Sequence, residues 1–439
     1  MATLNATGVW TEVNYGQACL FASGRIGDVC VSKKDKETLR KLAQKVKDYS
    51  ATKENEEKRN LWYEHNSLKT SKPVIFCDPE NGWNEIITEN ILECRGSLSR
   101  RWEIILRKEI FYGEKMKDDK PIEPYFDIGY THEKIDWLDR EIIHGGKEGG
   151  SYVWEAQIKN TEDLAKIKEP GIVVDYKTTL ETFELACSVF KDLLTPKLKG
   201  LWWWSFGLTY DLIRLVGLEN MLIYFYDKPE LIHKVMARLR DDSIKKLNFL
   251  EENKLLTLNS NGEYVGSGGL GYSHEIPEGD ITCNDIKTQD LWGFAESQET
   301  VSVSPAMFEE FVFRYQVPIL EKFGLNCYGC CEPLDKRWDV VKKAPNLRRI
   351  SVSAWANVEK MVENLKDEYI FSYKPAPSEL AVCEIDKEHI RKKISDFLDI
   401  TKGCVTEIIM KDNHTLGHNP DNVVNWVKIV RDEIKKRYD

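Results

Sequence analysis

From about residue 151 onward two hydrophobic patterns alternate, and that alternation constrains the fold more than any other feature of the chain. Short apolar, β-branched runs occur at 171–176, 198–206, 255–260, 291–296, 325–330, 347–353, 369–373 and 405–410. Stretches with a helical period follow them at 179–194, 210–216, 229–253, 305–323, 335–343, 358–365, 387–398 and 420–438. Periods near 2 and near 3.6 cannot share one element, so each run reads as a strand and each longer stretch as a helix. Eight strand–helix pairs predict an α/β protein, a (β/α)8 TIM barrel. The helix from 305 is the best signalled. Ser304 is placed to cap it, and Pro305 falls at its first position, where a missing N–H costs nothing.

The residues before 151 read differently. Residues 1–30 are rich in Gly, Ala and Thr without a clear period and form an unassigned leader. Residues 31–150 hold charged helical patterns and one short apolar run at 73–78, giving an α-rich N-terminal layer packed on a barrel of residues 151–439. The 439 residues are 42% hydrophobic, enough for a large core. The net charge of −10 argues against nucleic acid as a partner, since a phosphate backbone demands a basic surface. No apolar run approaches the ~20 residues needed to cross a bilayer, so no membrane partner is expected. No segment combines a basic start with an apolar centre in the manner of a secretory signal. Eleven scattered cysteines without framework spacing fit the reducing cytoplasm.

Barrel chemistry sits in the loops after the strands, which turns the strand order into a set of candidates. Leu325-Asn326-Cys327-Tyr328-Gly329-Cys330-Cys331-Glu332 places three thiols and an acid at one strand end. Cys330 and Cys331 are soft ligands, and His414, after the last strand, is the best-placed imidazole. Together they form a candidate zinc site. Side chains of successive strand residues point to opposite faces, so both thiols reach one ion only if the backbone bends after Gly329. The competing reading makes Cys327, Cys330 and Cys331 small buried hydrophobes. Glu296 and Glu332 are candidate catalytic acids. Lys374, where a strand stops before Pro375, is a candidate for holding a carboxylate or phenolate, against the reading of a solvated lysine. Trp203, Asn259, Gln298 and Trp355 are the candidate substrate-binding residues, with tryptophan offered to a flat ligand. Gly266-Ser267-Gly268-Gly269-Leu270-Gly271 lacks the strand-then-helix context of a dinucleotide loop and reads as a mobile loop.

From Asp290-Leu291-Trp292-Gly293 through Ser304-Pro305-Ala306-Met307-Phe308, the strand ending at Cys330 and Ile350-Ser351-Val352-Ser353, the chain resembles the uroporphyrinogen decarboxylase superfamily, which includes the zinc-dependent cobamide methyltransferases. The resemblance spans about 151–437 and implies the barrel fold. The Arg-Gln-Ala-Gly-Arg type of motif that serves porphyrinogen carboxylates is absent, which sets porphyrinogen decarboxylation aside. The methyltransferases serving coenzyme M carry His-x-Cys where this chain has Tyr328-Gly329-Cys330, so only the cysteine is kept. The resemblance implies a corrinoid-dependent methyltransferase, moving a methyl group from a small methylated molecule, such as an aryl methyl ether or a methylamine, to the cobalt of a corrinoid (cobalamin) carried by a partner protein. The alternatives are a small-acid decarboxylase using Lys374 or Lys411, and a corrinoid-handling protein without catalysis.

Overall fold

A computed structural model describes residues 29–70, 72–138, 143–144, 152–279 and 285–438. The leader expected at 1–30 therefore lies outside the described residues except for its last two. Six parallel strands form the main sheet: β1 (Val74–Cys77), β2 (Trp292–Ala295), β3 (Leu325–Tyr328), β4 (Leu347–Val352), β5 (Ile370–Tyr373) and β6 (Val405–Met410). Their order across the sheet is β1-β6-β5-β4-β3-β2, so from β2 to β6 each strand lies beside its successor in the chain. The short run at 73–78 thus supplies an edge strand, with Val74 opposite Glu407 and Cys77 opposite Met410.

The sheet is open, and the closed eight-stranded barrel expected from the sequence is not formed among the described residues. Three of the runs do not join it. Residues 171–176 give Gly171–Val174, which pairs antiparallel with His132–Ile135. The run at 198–206 gives a strand only at Thr195–Lys199, parallel to Tyr125–Gly129 in a separate ribbon. The run at 255–260 forms no strand. There the Asn259 side chain replaces ladder pairing: its amide accepts from Trp292 N–H at 2.9 Å and donates to Trp292 C=O at 3.0 Å. A side chain that satisfies backbone groups competes with the sheet for them.

Helices pack on one face of the sheet, including Pro229–Glu252, Lys387–Ile400 and Asp421–Tyr438. Ser304 caps the helix at Pro305–Phe308 by accepting from Met307 N–H at 3.2 Å. That helix continues through a π turn at Glu309–Phe313 into Arg314–Leu320. A second core joins Lys33–Ser50, Ser97–Phe111 and Tyr176–Phe190 to the ribbon, with Trp102, Phe126 and Phe190 at its centre. No helix among the described residues is long and apolar enough to cross a membrane.

Candidate functional site

The two faces of the sheet differ sharply in chemistry. Ile350 and Val352, Phe371 and Tyr373, and Ile408 and Met410 point toward the helices and belong to the main apolar core. Alternation puts Arg349, Ser351 and Ser353, then Ser372 and Lys374, then Glu407, Ile409 and Lys411 on the opposite face. All but Ile409 are polar, and all are buried. What covers them is a tight antiparallel hairpin, Tyr264–Val265 with Gly269–Leu270. This is the glycine-rich stretch expected to be a mobile loop; instead residues 265–270 are buried against the sheet. The glycines are required by the close approach. Gly266 has φ +63°, and a Cβ there would lie 2.7 Å from Cys327 Cβ. At Gly269 a Cβ would overlap the Arg349 guanidinium.

A charged network occupies the centre of this face. Arg349 Nε lies 2.9 Å from Glu407 Oε1, and its Nη2 lies 3.2 Å from Glu407 Oε2. Helix Lys53–Asn66 ends here and delivers two side chains. His65 Nε2 stands 3.0 Å from Glu407 Oε2, and Asn66 Oδ1 accepts from Arg349 Nη2 at 2.6 Å. Arg349 also sits over the Trp292 ring, its Cζ 5.1 Å from the centroid. Ser372 Oγ donates to Glu407 Oε1 and accepts from Lys374 Nζ. Burial alone would raise the Glu407 pKa, but Arg349 and His65 outweigh it and hold the carboxyl below its ordinary range. Burial pushes Lys374 down to about 8, helped by the Lys411 and Arg349 charges and opposed by Glu407. Lys374 is thus a buried amine rather than a solvated one. The sequence reading missed His65, Asn66, Arg349 and Glu407. A usable signal was present, since Arg349 and Glu407 are charges in the middle of otherwise apolar strands.

The strand ends hold a second set. Trp292, Phe294 and Glu296 follow the same alternation, and Glu296 lies just past β2. It is buried, 3.4 Å from Ser205 Oγ, and its Oε2 accepts from Gln298 N–H at 3.0 Å. Burial, then the neighbouring Glu299 and Glu332, push its pKa well up. Glu332 accepts from Ser297 N–H at 2.8 Å and Cys330 N–H at 2.9 Å, with Arg337 nearby. Burial raises Glu332 as well, but these donors favour its charged form. Burial shifts both carboxyls upward, and Glu332, through its two backbone donors, ties the two loops together. Lys411 is paired with Asp412 and, at 3.5 Å, with Glu80, and these carboxylates hold its pKa well up against burial.

Gly329 has φ +91°, the bend needed to bring adjacent thiols together, and Cys330 Sγ lies 3.6 Å from Cys331 Sγ. Ser267 Oγ, from the hairpin, donates to Cys330 Sγ at 3.2 Å. Asp412 Oδ2 stands 4.0 Å from Cys331 Sγ. The third expected ligand, His414, is exposed, with its Nδ1 3.3 Å from the Asn81 amide. Among the described residues no group of three His, Cys, Asp or Glu side chains is placed to hold a metal ion. The donor set expected for zinc therefore does not fit.

Beside the hairpin, at the β2 edge, lies a cleft. Trp203, Trp204, Trp292, Phe294 and Tyr264 line it, together with Lys199 and Glu263. Lys199 is ion-paired to Glu263 and, at 3.0 Å, to Asp127. The expected binding residues divide. Trp203 lines the cleft, half-buried against Phe206 and Phe323. Asn259 lines it too, but its amide is occupied by Trp292. Gln298 sits behind Glu296, and Trp355 is 77% exposed and does not line this cleft.

No family model matches the chain, and no curated protein does. Among solved structures it is similar to a methyltransferase from Methanosarcina mazei, at 11% identity and a TM-score of 0.39, over 69% of this chain and 77% of that one.

Proposed function

We propose that the chain is a methyltransferase of the corrinoid-linked kind, binding a small methylated molecule in the tryptophan-lined cleft. The supporting observation is Glu296, a buried carboxyl whose pKa burial raises and which lies 3.4 Å from the hydroxyl of Ser205, the neighbour in sequence of the cleft-lining Trp204. Removing a methyl group from an ether or an amine leaves an oxygen or nitrogen that needs a proton. An acid whose pKa is raised by burial is suited to deliver one. The aromatic walls suit a flat donor such as an aryl methyl ether. The resemblance around Asp290–Phe308 supports methyl transfer, with the cobalt of a partner corrinoid protein as acceptor.

The test uses free reduced cobalamin with a panel of aryl methyl ethers and methylamines, followed by the cobalamin spectrum. At least one donor should methylate it, and Glu296→Gln should slow that reaction by ~10²–10⁴-fold with binding retained. Turnover with no donor of either class would defeat the proposal. A second reading has its own observation. Lys374 and Lys411 lie close enough to influence each other on the buried face, and such a pair can hold a carboxylate. Release of CO2 from a small acid, abolished in Lys374→Met, would favour a decarboxylase.

A further inference from the structure

The thiol pair at the end of β3 plays no part in the reading above, and its geometry has its own chemistry. Two sulfurs 3.6 Å apart, each at about the 2.3 Å typical of a metal–thiolate bond, subtend an angle of about 100° at a shared atom. A linear two-coordinate ion is excluded by that angle. A tetrahedral ion suits it but needs four donors, and among the described residues no third His, Cys, Asp or Glu is placed to join the two thiols. A pyramidal trivalent atom suits it as well and needs three bonds, one of which the ligand can bring with it. Closing the pair to a disulfide instead would require the sulfurs to approach to about 2.05 Å on neighbouring residues, closer than the backbone separation disulfides normally span. Cys331 is exposed and gives access, while Cys330 is buried under Ser267.

We propose that Cys330 and Cys331 form a two-thiol site for trivalent arsenicals carrying one carbon substituent. The binding step is a condensation. In the hydrated form R–As(OH)2, two S–H and two As–O bonds break, two As–S and two O–H bonds form, and two water molecules leave, with arsenic trivalent throughout; the oxide R–As=O gives the same product and releases one water. The organic substituent supplies the third bond, so the protein need offer only the two thiols. The site requires no change in the sheet, because the sulfurs already stand at the required separation.

The test treats the reduced full-length protein with one equivalent of phenylarsine oxide, desalts it and measures intact mass. One adduct should form on the parent, map to the peptide containing Cys330 and Cys331, and be released by 2,3-dimercaptopropanol but not by 2-mercaptoethanol. Cys331→Ser, a change at an exposed position, should weaken retention by at least ~100-fold, because one of two linked contacts is lost. Cys383→Ser, at another exposed cysteine, should bind as the parent does. An adduct undiminished in Cys331→Ser, or none on the parent, would overturn the assignment. Stoichiometric zinc surviving dialysis and blocking the arsenical would overturn it equally, by showing a tetrahedral site.

Discussion

Lys374→Met should make the protein more stable at neutral pH while impairing whatever chemistry uses the amine. The Lys374 ammonium is 6% exposed and donates only to Ser372, through the backbone oxygen at 3.3 Å and the hydroxyl; no carboxylate is paired with it among the described residues. Its pKa falls from 10.5 to about 8, and at ~1.36 kcal/mol per pH unit that is a cost of about 3 kcal/mol for carrying the charge in the fold. The sign follows from the two states. Below about 8 both folded and unfolded chains hold the proton, so the full cost is present. Between about 8 and 10.5 the folded chain loses its proton first, and the cost shrinks as pH rises. Methionine keeps the apolar stem and removes the charge, but forfeits hydrogen bonds worth about 1 kcal/mol each. The net expectation is a gain of about 1 kcal/mol at pH 7 that fades by pH 10. Urea denaturation of parent and variant at both pH values reads it. A variant less stable than the parent at pH 7, or a difference identical at both, would refute the account of Lys374 as an unpaired buried cation. A fold that retains such a charge gives up stability for it, which is the pattern of a group kept for chemistry.

Four other outcomes can be tested, three of them on the same face of the sheet. Arg349→Met strands the Glu407 carboxylate and should cost about 3–5 kcal/mol by urea denaturation, whereas Arg349→Met with Glu407→Leu should recover much of it; a double variant as unstable as the single one would show that the charges are not the cause. Because the Glu407 pKa is depressed, the stability it confers is present above the ordinary carboxylate range and lost as pH falls, so the cost of Arg349→Met should shrink on acidification. Gly269→Ala drives a methyl group into the guanidinium and should lower stability by about 1–3 kcal/mol in a thermal melt, while Trp355→Ala, in solvent, should stay within about 0.5 kcal/mol and leave donor binding unchanged.

The strands that could be read from the sequence share a physical property. The runs at 325–330, 347–353, 369–373 and 405–410 lie inside the sheet and that at 291–296 forms one of its edges, and each contributes residues to the main core beneath the helices. Burial on that face leaves a strong hydrophobic signal in a short window. The runs that failed have no such neighbour. Residues 200–206 are held by single contacts, such as Trp202 Nε1 to Leu255 C=O at 2.8 Å, and 255–260 is diverted by the Asn259 amide. Composition cannot reveal that a side chain will stand in for a strand partner. The short run at 73–78 was legible as a strand, yet not as an edge of this sheet, because pairing Val74 with Glu407 is a contact between residues more than three hundred positions apart.

The site shows the same division. Asking which residues follow the strands found Glu296, Cys330, Cys331, Glu332, Lys374 and Lys411, since chain order alone fixes that position. It also proposed His414 and Trp355, which lie after strands but turn to solvent. It could not find His65 or Asn66, which come from the end of a helix before β1 and reach Glu407 and Arg349 only through the tertiary fold. The mid-strand charges at Arg349 and Glu407 were the better guide. Enclosed by protein, each would carry a large desolvation cost if alone, so either charge implies a partner of opposite sign on the same face. A lone buried Arg on β4 and a lone buried Glu on β6 each imply the other as partner on one face of the sheet. The residue between them, Ser372, is the link through which Lys374 contacts the network. On this view Glu407 acts on Lys374 through a hydroxyl, so Ser372→Ala should shift the pH at which Lys374 titrates while Arg349 and Glu407 remain paired. An unmoved Lys374 titration, followed by NMR of the labelled amine, would separate the lysine from the network.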